Sequence, residues 1–371
     1  MRQFRKATIK EVAARSGVST TTVSNFVSGN VSVCSPETAE RIRGAIAELQ
    51  YVPSSLTRGL RQRTVRTIGV CLPSPLDPDV SYGFSFLEGL WRGIVKAADL
   101  ADYALLHYPV SVRVSESSNA FLDGRVDGVL LGARDNIRAK QLAAAGMPTI
   151  LLTRSVDISE GCGAVWANEA DTVALALDCL WKGGHRRIAY IAGPVGAMAG
   201  SYANDPRPAA DIAVRRLEAY TAWMRAHDAY DPSLVAFAQG WSAPRAGESL
   251  AWWRAQAAPP TAVVCANDAQ ALDLMAAAHL AGITVPDDLS IIGVDNSPEA
   301  CRARPELASV EVPLEAIGSE SVRALMRLFE GAPVEQCRIA IPVTEFLMRG
   351  SIAPVSSESK GHKGETADVV K

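Results

Sequence analysis

A small all-α head followed by a two-lobed α/β body of doubly wound parallel sheets is the multidomain fold that the sequence predicts, and three observations predict it. The chain has 371 residues, room for two or three globular units at about 150 residues each. Three short helices with their own start and stop signals crowd between Thr8 and Leu49. Beyond Val65, short apolar runs alternate with amphipathic helices, the pattern of repeated βαβ units around a parallel sheet. Hydrophobic residues at 48% and charged residues at 21% exclude a collagenous, coiled-coil or wholly disordered chain.

The head is punctuated residue by residue. Thr8-Ile-Lys-Glu11 reads as a capping box that starts a first helix, which Ser16-Gly17 ends in a tight turn. Ser19 caps a second helix, Thr20 to about Val27, with Val23 and Val27 on one face and short polar side chains on the others. Ser35-Pro36 supplies a cap and a proline at the first helical position. Ala39, Ile42, Ile46 and Leu49 then recur at helical spacing.

In the body, strands are expected at Ile68–Leu72, Tyr103–His107, Gly128–Leu131, Thr149–Leu152, Ile188–Ala192, Val235–Ala238, Ala262–Cys265 and Ser290–Val294. Helices are expected at Phe84–Leu100, Glu169–Trp181, Ala209–Ala226, Ala269–Ala281 and Leu314–Phe329. Eight or more parallel strands exceed the usual single open sheet, which divides the body into two lobes. The expected organisation is a head at 1–52, a hinge and linker at 53–65, a core at 66–350 and a disordered tail at 351–371, the last rich in Ser, Lys and Glu.

Charge and cysteine content narrow the function. Met1 to Arg63 holds ten basic residues against four acidic ones, so the remainder carries the excess acid that brings the total to −3. A basic head on an acidic body is the footprint of a nucleic-acid reader, although a solvated basic face has the same balance. Seven cysteines, none in a C-x-x-C pair, give neither a disulfide framework nor a zinc site, as expected of a cytoplasmic protein. No apolar run is long enough for a membrane span, and no apolar segment follows the basic N-terminus, so neither export nor membrane insertion is expected.

The stretch Thr8-Ile-Lys-Glu-Val-Ala-Ala-Arg-Ser-Gly-Val-Ser-Thr-Thr-Thr-Val-Ser24 resembles the helix-turn-helix of the LacI/GalR family of bacterial transcription regulators. The resemblance continues through Ser35-Pro-Glu-Thr38, Leu49-Gln-Tyr-Val-Pro53, Arg66-Thr-Ile-Gly-Val70, Gly184-His-Arg-Arg-Ile-Ala189, Arg216-Leu-Glu-Ala-Tyr220, Ala266-Asn-Asp268 and Ile292-Gly-Val-Asp295. It implies a helix-turn-helix head, a hinge helix, a periplasmic-binding-protein-like core and a homodimer that binds a pseudo-palindromic operator in double-stranded DNA. Ser28 stands where that family usually has Asn, and the segment 193–216 is longer than the family's.

In a helix-turn-helix the second helix offers its first turn to the major groove. Thr20, Thr21 and Asn25 are therefore the expected base readers, the threonines through hydroxyl or methyl and the asparagine through a bidentate pair with adenine. Ser19, Thr22, Ser24 and Arg61 suit phosphate contacts, which position the head without selecting sequence. Pro53 to Arg61 resembles the family's hinge helix, with Leu60, and Thr57 beside it, in the minor groove at the operator centre. Apolar wedges kink DNA there by unstacking a base step. Gly59 lowers helix propensity, so this hinge is expected to fold only when bound.

Ligands of open α/β sheets sit beyond the carboxyl ends of the strands. Arg216, Asn267 and Asp295 match the family's ligand-contacting positions and combine a fork donor, an amide and a carboxylate, a set suited to several hydroxyls at once. Trp166 and Trp241 align with aromatic positions near the ligand, where a ring stacks on a pyranose face, or else they are ordinary core. Asp268 reads as a helix cap and His185 as a structural turn. No phosphate loop, zinc-protease or dinucleotide motif occurs, and Gly83 to Leu87 lacks the second glycine of a nucleophile elbow. An enzyme, a transporter's solute-binding protein and a nucleotide-hydrolysing regulator are the rival readings. The expectation is a DNA-binding regulator, a repressor without cofactor or metal, whose operator affinity follows a small carbohydrate effector.

Overall fold

The computed structural model of the chain describes residues 7–27, 34–51, 64–72, 84–109, 121–132, 136–155, 157–195, 211–238, 241, 246–256 and 258–355. They fall into two compact units, one within Met1–Thr67 with Asp123–Asp127, the other within Ile68–Leu122 and Gly128–Lys371.

The head forms three helices, α1 (Ile9–Ser16), α2 (Thr20–Val27) and α3 (Pro36–Leu49). The capping box is present: Glu11 N donates to Thr8 Oγ1 at 3.4 Å, and Thr8 N donates to Glu11 Oε2 at 2.7 Å. Gly17 closes α1 in the left-handed conformation. Ser35 caps α3 through Thr38 N, with Pro36 following as expected. Val12, Ala13, Val23, Ile42 and Ala45 close a small apolar core, large enough to order three helices whose termini already have partners for their backbone groups.

Among the described residues the body has twelve strands in two six-stranded sheets. The first, in the order β11-β5-β4-β3-β1-β2, contains β1 (Thr67–Leu72), β2 (Ala104–Pro109), β3 (Gly128–Gly132), β4 (Thr149–Leu152), β5 (Gly163–Ala167) and β11 (Arg338–Ile341). The second, in the order β12-β10-β9-β8-β6-β7, contains β6 (Ile188–Ala192), β7 (Val235–Phe237), β8 (Ala262–Cys265), β9 (Ser290–Val294), β10 (Ala308–Glu311) and β12 (Glu345–Leu347). Helices α4 (Phe84–Leu100) and α11 (Leu314–Phe329) pack together on the first lobe, which also carries α5 (Asn136–Ala144). The second lobe carries α6 (Glu169–Lys182), α7 (Asp211–Ala226), α8 (Ala246–Arg254), α9 (Asp268–Leu280) and α10 (Pro298–Arg302). Strands such as β3 and β6 are buried along their whole length, which is why they read as unbroken apolar runs.

The chain passes between lobes three times, after β5, after β10 and after β11. Four strands lie outside the eight expected ones, β5, β10, β11 and β12, and all four flank these passages. The sheets are parallel as expected except that β12 runs antiparallel to β10 at the sheet edge.

Two expectations need correction or fall outside the described residues. The tail expected to be disordered from Ser351 is ordered through Val355: buried Ser351 donates to Ile291 O at 2.6 Å and accepts from Ala308 N at 2.9 Å. Ser351 O also accepts from Ile291 N at 2.9 Å, so backbone and hydroxyl groups tie this segment to the start of β9 even where composition reads as disordered; residues 356–371 lie outside the described residues. The hinge at 53–63 also lies outside them. Where the linker enters β1, Asp127 holds it, accepting from Thr64 Oγ1 at 2.7 Å and Val65 N at 2.8 Å.

Candidate functional site

In the head, Ser19, Thr20 and Thr21 are exposed, Thr22, Ser24 and Asn25 are half-buried, and Val23 is buried. The first turn of α2 therefore faces outward while its valine is in the core. Ser19 Oγ accepts from Thr22 N at 3.0 Å and pairs with Thr22 Oγ1 at 2.8 Å, so the two expected phosphate ligands also form the cap of α2. Among nearby cations, Arg15 pairs with Glu48 at 2.7 Å and Arg41 donates to Thr38 Oγ1 at 3.2 Å. Thr57, Leu60 and Arg61 lie outside the described residues.

In the body, Arg216, Trp241, Asn267 and Asp295 belong to the second lobe, at or near the carboxyl ends of β7, β8 and β9 and in the first turns of α7. Trp166 is half-buried in β5 of the other sheet, paired in register with Ala340. Four of the five expected ligand residues are thus gathered by one sheet and the fifth is contributed by the other.

Arg216 is 2% exposed and is already held: Nε donates to Glu169 Oε2 at 2.6 Å and Nη1 to Ala266 O at 2.5 Å. Glu169, the first residue of α6, is itself buried. Burial presses Arg216 toward neutrality, and Glu169 and Asp295 outweigh it, keeping the guanidinium firmly charged. Asp295 goes the other way. Desolvation raises its carboxyl from the ordinary 3.8 to about 8, Arg216 pulls it down, and Asp268 and Glu169 push it further up. Half-buried by exposure, it holds its proton more readily than an ordinary aspartate, and the protonated form can donate as well as accept. Its backbone is also unusual, with φ at 108°, a strained value for any residue with a Cβ and of the kind that clusters at binding sites.

Asn267 has two structural bonds. Its Oδ1 accepts from Gln270 N at 3.0 Å, capping α9, and its Nδ2 donates to the Trp241 carbonyl at 2.9 Å. The expectation that Asp268 caps this helix is corrected: Asp268 lies inside α9, accepting from Ser297 N at 2.6 Å and Ser309 Oγ at 2.7 Å. Asn267 has the extended backbone of an N-cap (φ −152°, ψ 172°), which sets its side-chain oxygen at Gln270 N. Burial lifts Asp268 to about 6 against those hydrogen bonds. Trp241 is half-buried with its ring against Gly193, where a Cβ would stand 2.8 Å from Cζ3.

His185 is a structural tie, as expected. Its Nε2 faces Ala353 O at 2.9 Å and its Nδ1 faces Thr261 Oγ1 at 2.8 Å. Residue-level reading missed Glu169 and Tyr190. Glu169 reads as an ordinary acidic first-turn residue and its partner lies far along the chain. Tyr190 stacks on Tyr220 at 4.9 Å beneath the ion pair, and its buried hydroxyl has no hydrogen-bond partner among the described residues. Among the described residues no group of His, Cys, Asp or Glu is arranged to hold a metal, and no helix is long and apolar enough to cross a membrane.

Comparison with known proteins gives two domain matches: residues 8–54 to the description "Bacterial regulatory proteins, lacI family", and residues 177–352 to "Periplasmic binding protein-like domain". The chain is 31% identical over 360 residues to the HTH-type transcriptional regulator CelR of Thermobifida fusca, covering 95% of this chain and 100% of that protein. Among solved structures, a transcriptional regulator CelR–cellobiose complex superposes with a TM-score of 0.64 at 26% identity, covering 93% of this chain and 100% of that one. The Lac repressor dimer bound to operator and an anti-inducer shares the fold, with a TM-score of 0.76 at 24% identity over 94% of this chain and 100% of that one.

Proposed function

Because the chain belongs to the lacI family of bacterial regulatory proteins, and is thus a DNA-binding transcription regulator, we propose that it is a cytoplasmic, homodimeric repressor whose operator affinity is set by a carbohydrate held against Arg216 and Asp295. The observation that carries the ligand half of this reading is the set at the second lobe's strand ends, with Arg216 and Asn267 buried and Asp295 half-buried. A charged fork donor, a carboxyl that holds its proton readily and an amide within one lobe offer donors and acceptors together, which is what a polyhydroxyl ligand needs. A structural relative with 26% sequence identity has been solved with cellobiose, which supports a sugar. Trp166 and Trp241 would supply apolar faces for a pyranose.

In the head, Thr20, Thr21 and Asn25 read bases, and Ser19, Thr22 and Ser24 position α2 on phosphate. Thr57, Leu60 and Arg61 act at the hinge. A two-fold dimer presents two recognition helices about one helical turn apart, so the operator is a pseudo-palindrome. The chemistry assigned is binding, with no catalytic residue and no cofactor, in keeping with relatives that are transcription regulators. Coupling is a two-state matter: a sugar that prefers one arrangement of the lobes biases the state in which the heads grip DNA.

The test begins with an operator selected from random duplexes by the full chain. Thermal-shift screening against a sugar library then finds the effector, since a ligand at a hundred times its Kd stabilises by about 2.7 kcal/mol. Arg216→Ala and Asp295→Ala should each weaken that ligand several-fold to about a thousandfold, while operator binding without sugar persists. Unchanged sugar titrations in both variants would place the pocket elsewhere.

A further inference from the structure

We propose that Glu169 is a specificity-determining residue: by pairing with Arg216 it withholds the pocket's buried cation from anionic ligands and makes the site a selector for uncharged sugars. The proposal rests on the carbohydrate reading above and adds a charge filter to it. An arginine left open in a pocket takes phosphate or carboxylate bidentately, through two parallel N–H donors. Here the Nε edge of the guanidinium faces Glu169 Oε2 at 2.6 Å, and Nη1 is turned to the Ala266 carbonyl at 2.5 Å. Both partners are buried, Arg216 at 2% and Glu169 at 8% exposure, so solvent screens the pair very little.

The guanidinium still has N–H donors beyond those two bonds, but its charge is balanced. Further negative charge is close by, because Asp295 feels Asp268 and Glu169 strongly enough for both to raise its carboxyl. A sugar hydroxyl can accept from the remaining donors without bringing charge. A sugar phosphate brings about −1.5 to −2 charges to a buried guanidinium that Glu169 already neutralises at 2.6 Å, with the carboxyl of Asp268 close by. Such like-charge contact is how a site excludes wrong partners.

The experiment measures dissociation constants of the full chain by calorimetry, with neutral sugars (glucose, ribose, cellobiose and a wider neutral library) beside charged counterparts (glucose 6-phosphate, ribose 5-phosphate, glucuronate and further uronic acids). Wild type should bind its best neutral sugar at least about tenfold tighter than the matching charged one, the ratio expected from like-charge repulsion in a buried site. Glu169→Gln keeps the shape and an acceptor for Nε, and removes the charge; it should shrink the neutral-to-charged ratio by about tenfold, while Glu169→Asp should restore it. A purely structural role for Glu169 would lower both affinities together and leave the ratio alone. Charged sugars binding as tightly as neutral ones to wild type, or an unchanged ratio in a Glu169→Gln protein with native circular dichroism, overturns the filter. Should that variant not fold, the wild-type ratio decides alone. Binding of charged sugars only rejects the filter and leaves the carbohydrate reading standing; binding of no sugar of either kind rejects both.

Discussion

Asp295 holds its carboxyl and its backbone away from their ordinary states, and the first has a measurable sign. Its folded pKa of about 8 lies above the 3.8 of an ordinary aspartate, with desolvation as the main cause. The folded state therefore binds more protons than the unfolded one between these values, and stability present below about pH 4 is lost as pH rises through 8. Asp295→Asn should remove that slope. Urea titrations of the ligand-free protein from pH 5 to 9 should show wild type losing on the order of a few kcal/mol and the variant losing much less. His185 gives the opposite sign, because burial lowers its pKa from 6.5. A carbonyl can only accept, so Nε2 donates to Ala353 O and Nδ1 accepts from the Thr261 hydroxyl, the arrangement of a neutral imidazole. Stability from this group is present above about 6.5 and falls as the ring is protonated. Protection factors at Ala353 and Val355, corrected for the slower intrinsic exchange at low pH, should fall at pH 5 relative to pH 7.5 in wild type; equal protection at both would show that His185 does not hold this segment.

The helices depend on devices that can be removed one at a time. Asn267→Ala should cost about 1 kcal/mol of stability through loss of the α9 cap, whereas Asn267→Asp keeps the cap and loses only the bond to the Trp241 carbonyl. Chemical denaturation of the two variants separates the capping role from any ligand role. Helices α4 and α11 meet through Gly93 and Gly318: a Cβ on Gly93 would collide with the Glu315 carbonyl, and one on Gly318 with the Leu90 carbonyl. Backbone cannot move aside as a side chain can, so Gly93→Ala or Gly318→Ala should destabilise by about 1 to 3 kcal/mol or more, read as a fall in the urea midpoint. Elements such as these were legible where the signal is local. Phe84–Leu100 and Leu314–Phe329 show helical periodicity and form with the expected bounds, and Thr149–Leu152 and Ser290–Val294 are apolar runs buried on both faces. Ala308–Glu311, Arg338–Ile341 and Glu345–Leu347 have three or four residues with polar ones interleaved, and they become strands only because the neighbouring strand supplies a ladder. Resemblance alone singled out Arg216, Asn267 and Asp295, and the fold places all three in the second lobe. That Glu169 occupies one edge of Arg216 was not legible, since the two are 47 positions apart and only folding brings them together.

For the whole molecule, a head carrying a surplus of base on an acidic body divides the work between phosphate binding and ligand sensing. Binding to the operator should weaken linearly in log salt concentration, with a slope set by the phosphates contacted. Asn25→Ala should cost about 1 to 3 kcal/mol on the operator and relax preference at particular base pairs; equal losses on operator and random duplex would remove its base-reading role. On the proposed reading, DNA affinity answers to a sugar through Arg216 and Asp295, and operator affinity measured by fluorescence anisotropy, with and without saturating effector, for wild type and Asp295→Ala side by side, decides it. The wild-type affinity should change by about tenfold or more, equivalent to a coupling of about 1.4 kcal/mol, and Asp295→Ala should keep its sugar-free value. A variant that responds as wild type does would take Asp295 out of the coupling, and a wild type whose operator affinity no sugar changes would leave no coupling to a sugar at all.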